Sequence, residues 1–221
     1  MYDVLSFLPA GFIPDLLNGM KVNLQIASVI LILSMLIGGL LTWVSLVSGI
    51  VGMIIGFFIA VIRAMPTFLA MICLLYLIPR QIVIADSSFA ISSPVIVILS
   101  LLPYGVAYSF DNFSESIRHW RRGQLVTALQ LLPNMTRMYF ILIMSSSAGA
   151  AIGVNEGVMT LLRYASRLES TQERLLLSAV GILFFGIIMQ TAFALTNRLR
   201  TMLIARVSKR AESLSLASVS R

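Results

Sequence analysis

Side chains able to do covalent or acid–base chemistry are few and scattered. The one histidine, His119, stands in the basic run Arg118-His119-Trp120-Arg121-Arg122, and the one cysteine, Cys73, lies in an apolar stretch. A lone histidine supplies neither a zinc pair nor a serine–histidine couple. A lone cysteine gives neither an intrachain disulfide nor metal-ligand spacing. His119 therefore reads as a solvated or headgroup-facing residue, and Cys73 as a buried, inert thiol. No glycine-rich loop ending in Gly-Lys-Ser/Thr occurs, so ATP hydrolysis is not expected of this chain, and no cofactor or metal is implied. Asp111 and Glu156 are the clear candidates for ionisable residues at membrane depth, which would flag a substrate or proton path. Both fall at the ends of apolar stretches, where water reaches them, whereas an ion-driven transporter usually needs something deeper.

The elements that position these residues are dictated by hydropathy. Of 221 residues 58% are apolar and only 11% charged, against roughly a quarter charged in soluble proteins. Residues 22–62, 64–79, 87–110, 138–155 and 175–197 carry no charge, and a crossing needs about 20 residues. Backbone amides in lipid must bond within the segment or within a closed barrel. Runs such as Val29-Ile30-Leu31-Ile32-Leu33 lack the alternation of barrel strands. The fold class expected is all-α, polytopic, in a lipid bilayer.

The run 22–62 is about twice the length of one crossing and must be divided, with Gly38-Gly39 or Ser48-Gly49 as the candidates. Residues 49–62 are short for a span; Gly52 and Gly56 in it have the spacing that seats a close helix neighbour. Pro66 suits the first turn of the following helix. The third stretch contains Pro103-Tyr104-Gly105, where a kink is expected. The fourth is rich in small residues from Ser145 to Gly153, which suits close helix contact.

The net charge of +7 lies between the apolar stretches, so it reports orientation rather than a nucleic-acid partner. If 49–62 does not cross, one side collects Arg63, Arg118, Arg121, Arg122, Arg137 and the tail residues Arg198, Arg200, Arg206, Lys209, Arg210 and Arg221. The other collects only Lys21, Arg80, Arg163, Arg167 and Arg174. This places the C-terminus in the cytoplasm and, with five crossings, the N-terminus outside. Asp3, where a secretory leader would carry basic residues, predicts no cleavable leader. Residues 1–221 are expected to form one transmembrane domain, with 205–221 a flexible cytoplasmic tail.

A series of short features then occurs in order: Gly19 before Asn23-Leu24-Gln25, Arg63-Ala64-Met65-Pro66, Tyr76-Leu77-Ile78-Pro79, Ala107-Tyr108, Gly123-Gln124, and Ile152-Gly153-Val154-Asn155-Glu156. In this the chain resembles the permease subunits of ATP-binding-cassette importers for polar amino acids, the histidine/glutamine type. The resemblance implies five crossings, with 49–62 joining the first two. It makes Arg63, Pro66, Tyr108, Asp111, Gly153 and Glu156 family-motif positions. It also implies an ATP-binding subunit, a second permease subunit (identical or related), a solute-binding protein, and a bacterial inner-membrane location.

Departures cluster in the loop that would engage the ATP-binding subunit, Arg121, Arg122, Gly123, Gln124, Val126, Thr127 and Ala128. The family's Glu-Ala-Ala is Val126-Thr127-Ala128 here, its glutamate after Ala-Tyr is Asp111, and the route to Leu132-Pro133 is shortened. Such a loop is expected to hold its partner more weakly than a short helix with a charge-assisted bond. Two other readings stay open: a non-transporting membrane assembly protein with a permease-like fold, and a secondary transporter.

Overall fold

The structure, a computed structural model, describes residues 9–66, 69, 72–74, 77, 81–84, 87–128 and 130–219. Helix α1 (Phe12–Val47) is followed directly by α2 (Gly49–Ala64). A two-stranded antiparallel hairpin comes next, β1 (Gln81–Ile84) and β2 (Ser87–Ala90), with Gln81 opposite Ala90. Then follow α3 (Ser93–Arg121), the single turn α4 (Leu125–Ala128), α5 (Leu131–Ser146) running into a 3-10 segment Ser147–Ile152, α6 (Gly157–Ala165) and α7 (Thr171–Val219). The hairpin aside, the described residues bear out an all-α reading.

Among the described residues four helices are long and apolar enough to cross a membrane: α1, α3, Leu131–Ile152 and Thr171–Leu195. The chain is a multi-pass membrane protein. The crossing expected over 64–79 lies largely outside the described residues, as do Tyr76, Ile78 and Pro79 of its motif. Helix α2, at 16 residues, is about 24 Å long, short of the ~30 Å hydrocarbon core.

Several boundaries correct the hydropathy reading. The long run divides at Ser48, whose backbone is extended (φ −140°, ψ 125°), whereas Gly38 and Gly39 stay inside α1. A Cβ on Gly38 would stand 2.7 Å from Ser109 Cβ, and one on Gly105 would collide with Ser34 Oγ. These glycines are used for close approach of α1 to α3, the means by which helices pack where lipid removes the hydrophobic drive. The Gly52 and Gly56 pair does not make such a seam: Gly52 abuts the Ser45 carbonyl, but nothing lies near Gly56. The third crossing begins at Ser93, with Pro94 in the first turn, because 87–90 is a strand. It keeps Pro103 in its interior and continues past the apolar run to Arg121. The small-residue run tightens into a 3-10 turn ended by Gly153 at φ +84°. Cys73 is exposed, and the 205–221 tail continues α7 as helix to Val219.

The core lies where α1 (Ile26, Ala27, Ile30), α3 (Ile96, Val97, Leu101) and α5 (Met135, Met138, Leu142, Ile143) meet. Helix α7 contributes Leu177 to a second cluster with Phe12, Leu16 and Tyr164, while Leu175, Ile182, Leu183, Ile187 and Leu195 face outward. Val29, Ile32, Leu36, Leu40 and Val47 of α1 do the same. Apolar exposure on that scale is stable only against lipid or another subunit.

The α1–α3 seam gives a direct test. Gly105→Val is expected to lower the thermal midpoint of the detergent-solubilised chain by an amount equivalent to about 1–3 kcal/mol of overpacking. Gly56→Ala, at an open helical position, should leave it unchanged or raise it slightly. Equal effects at both positions would remove the close-approach assignment.

Candidate functional site

Two groups of motif residues come together at opposite ends of α1. The first is built on Asn23, whose side chain is completely buried. Its Nδ2 donates to Ser146 Oγ at 2.9 Å and Ser147 Oγ at 3.3 Å, and its Oδ1 accepts from the backbone N–H of Gly157 at 3.0 Å. One turn earlier, Gly19 lets α1 touch the Glu156–Gly157 peptide, since a Cβ there would stand 2.8 Å from its atoms. Glu156, expected within reach of water, is instead completely buried and caps α6: Oε2 accepts from Val158 N at 2.9 Å and Oε1 from Met159 N at 2.8 Å. The cap satisfies N–H groups that have no partner within the helix. Burial pushes the Glu156 carboxyl above its ordinary value, against the pull of these hydrogen bonds. Tyr164 closes the group from the far end of α6, donating to Asp15 Oδ2 at 2.8 Å and meeting the Phe12 ring edge-on at 5.3 Å.

The second group lies about 28 Å further along α1, at the level of Thr42. Thr42 Oγ1 bonds the Gly38 carbonyl at 2.8 Å and reaches the Phe110 carbonyl of α3 at 3.3 Å. Beside it Arg63, at the end of α2, pairs with Asp111 of α3 at 3.1 Å. Two motif positions separated by nearly fifty residues are thus an ion pair. Tyr108 stands a turn before Asp111, its carbonyl accepting from Asn112 Nδ2 at 2.8 Å. Pro66 follows the extended Met65 that ends α2.

From Asp111 the end of α3 carries the loop residues. Arg122 caps the helix and Gly123, at φ +75°, turns the chain in the left-handed region that glycine enters without cost. Gln124 N–H bonds the His119 carbonyl at 3.0 Å, and His119 Nδ1 lies 2.7 Å from Gln124 Oε1. The turn α4 is fastened by Ser116 Oγ, which donates to the Ala128 carbonyl at 2.8 Å. Asn134 Nδ2 donates to Asn112 Oδ1 at 2.5 Å, tying α5 to α3. Pro133, third residue of α5, sits where no intrahelical N–H bond is needed. The loop is therefore one built helical turn rather than a slack connection. Thr127 is exposed, and the Val126 side chain lies outside the described residues. A polar cavity of about 280 Å³ opens between α3, α4 and α5, lined by Asn112, Glu115, His119, Thr127, Gln130 and Asn134.

Elsewhere a groove of about 400 Å³ is almost wholly apolar, with Leu24, Leu31, Met135, Tyr139, Ile143 and Met189 on its walls. Sequence reading brought out Asn23 only as part of a motif, and missed Asn112, Asn134 and the Asp15–Tyr164 bond. An amide inside an otherwise apolar helix was the available signal, because it must find a partner. Among the described residues no group of three His, Cys, Asp or Glu side chains is placed to hold a metal ion.

No family model and no curated protein matches the sequence. A solved structure of an amino acid ABC transporter with histidines superposes on this chain with a TM-score of 0.68 at 13% identity, covering 93% of this chain and 99% of that one. The chain has an ABC amino-acid permease-like fold.

The Asn23 group yields two expected outcomes. Asn23→Leu strands the Gly157 N–H and should cost about 1–3 kcal/mol, seen as a lowered thermal midpoint and faster proteolysis near α6. Because the Glu156 carboxyl titrates above its ordinary value of 4.5, the native state takes up this proton before the unfolded state does. Its contribution to stability therefore rises as pH falls from neutral toward 4.5 and is lost again as pH rises through the folded-state value. The midpoint of the native chain minus that of Glu156→Gln should grow over that fall; a constant difference would contradict the burial of an ionisable group there.

Proposed function

We propose that this chain is the membrane-spanning permease subunit of an ATP-driven importer for polar amino acids or similar small solutes. It sits in a bacterial inner membrane with its N-terminus outside and its C-terminus in the cytoplasm, and forms the translocation pathway with a second copy or a related permease. ATP is bound by a separate cytoplasmic subunit, and solute is delivered by a separate binding protein. The observation that carries the reading is that the motif residues converge in two groups, Gly19 and Asn23 with Glu156 and Gly157, and Arg63 with Asp111. These groups lie about one hydrocarbon thickness apart, within a fold that superposes over 93% of the chain.

The basic residues orient the bundle: the Arg63–Asp111 end and the loop from Arg118 to Gln124 take the cytoplasmic side, where arginines accumulate. The apolar groove walled by Leu24, Met135 and Met189 suits the second permease subunit, since exposed apolar surface of this kind marks a protein or lipid contact. By the resemblance α4 answers to the short helix that engages the ATP-binding subunit, so Arg121 to Ala128 is the contact region proposed.

Two measurements test this. Co-expressed with its ATP-binding subunit, the chain should copurify with it in detergent, and hydrolysis should depend on that subunit, the chain alone giving none above a contaminant control. Failure to associate with any ATP-binding subunit would favour the assembly-protein reading, and ion-driven uptake by the chain alone the secondary transporter. Reporter fusions at residue 85 and after residue 210 should report opposite sides of the membrane; the same side for both would sink the five-crossing topology.

A further inference from the structure

We infer that the end of α3 is a docking tip for an acidic face of a soluble partner, held clear of the bilayer. The inference rests on the permease reading and gives the ATP-binding subunit its surface chemistry at this contact. Arg118, Arg121 and Arg122 are exposed around Trp120, itself 64% exposed. From Ser116 to Asn155 the sequence has no acidic residue, and the nearby Glu115 faces His119 at 3.7 Å. The tip therefore offers arginine and an aromatic ring with no carboxylate of its own among them, the side chains enriched at the centres of protein interfaces.

A basic run with a tryptophan also suits a lipid headgroup anchor, and geometry decides between the two. The Thr42 bond to the Phe110 carbonyl brings Trp43, 65% exposed, level with Asp111, which pairs with Arg63. A tryptophan and a charged pair at one depth mark the edge of the hydrocarbon. The uncharged part of α3 leading to it, 93–110, is ~27 Å long, about the core thickness. Trp120 lies nine residues further along the same unbroken helix, ~14 Å beyond that edge, whereas the headgroup layer adds only ~5–7 Å per side. The tip thus projects into water.

It is also fixed in shape. Gly123 turns the chain back, His119 and Gln124 face each other, and Ser116 holds the Ala128 carbonyl. A surface already ordered loses little freedom on binding, and complementary charge speeds and orients its docking.

The test measures affinity between the detergent-solubilised chain and its purified ATP-binding subunit. Replacing all three arginines (Arg118→Gln, Arg121→Gln, Arg122→Gln) should weaken binding about tenfold near 0.1 M salt and flatten its salt dependence. Thr127→Glu, at an exposed position beside the tip, should weaken it as well, and thermal midpoints should not move because these side chains are exposed. Unchanged affinity in the triple variant, or tighter binding by Thr127→Glu, would overturn the acidic-face inference while leaving the permease reading intact. No binding by the native chain would remove both. In a Trp43→Phe chain reconstituted in anionic vesicles, Trp120 is the sole tryptophan. Its emission should be quenched by aqueous acrylamide and not by lipids brominated near the headgroup; quenching by the lipids would make the tip a membrane anchor and overturn the inference.

Discussion

Inside α1 an uncharged amide, Asn23, is sealed from solvent and has to find all its hydrogen bonds within the protein. Unpaired there, each of its polar atoms would cost about 1–3 kcal/mol. The bonds it makes are to three separate segments: the end of α5, the 3-10 turn, and the first N–H of α6. Once these are made, the chain beyond α5 has a single place to go. Gly153 at φ +84° breaks the 3-10 turn, Glu156 caps α6, and Tyr164 at the other end of α6 returns to Asp15 of α1. One buried amide therefore fixes where the second half of the bundle attaches to the first helix.

The other end of α1 is fixed by shape. Gly38 and Gly105 bring α1 and α3 within backbone distance, and in lipid such contact supplies dispersion energy that a wider crossing forgoes. Because α3 then runs unbroken from Ser93 to Arg121, the seam that holds it in the membrane also sets where its polar end emerges. Ser116 ties α4 to α3, and α3 runs from there as one continuous helix to the core.

Hydropathy made the helical class and the existence of the crossings legible, since nothing else satisfies backbone amides in a bilayer. It did not give their ends. A charge-free run reports the part of a helix that lies in lipid, whereas α1 starts ahead of it at Phe12 and α3 continues after it to Arg121. Glycine was ambiguous for a physical reason: Gly38 and Gly39 have the composition of a break, and only Ser109 and Phe113 of α3, opposite them, make them a contact surface. The motif residues were legible as positions but not as pairs. That Arg63 meets Asp111, or that Asn23 receives the Gly157 N–H, depends on a superposition of helices that one sequence does not encode locally. The loop was read as shortened; that it nonetheless keeps a fastened helical turn depends on Ser116, His119 and Asn134, residues outside the motif.

The functional account turns on whether α4 and its neighbours meet an ATP-binding subunit in the membrane where the chain works. Gln124 is exposed at the start of that turn, with its backbone held by His119. A photo-crosslinking residue in place of Gln124, illuminated in intact membranes containing the ATP-binding subunit, addresses the point most directly. The account predicts one dominant adduct, between this chain and that subunit. Adducts confined to lipid, or none at all while the two proteins are both present, would contradict it.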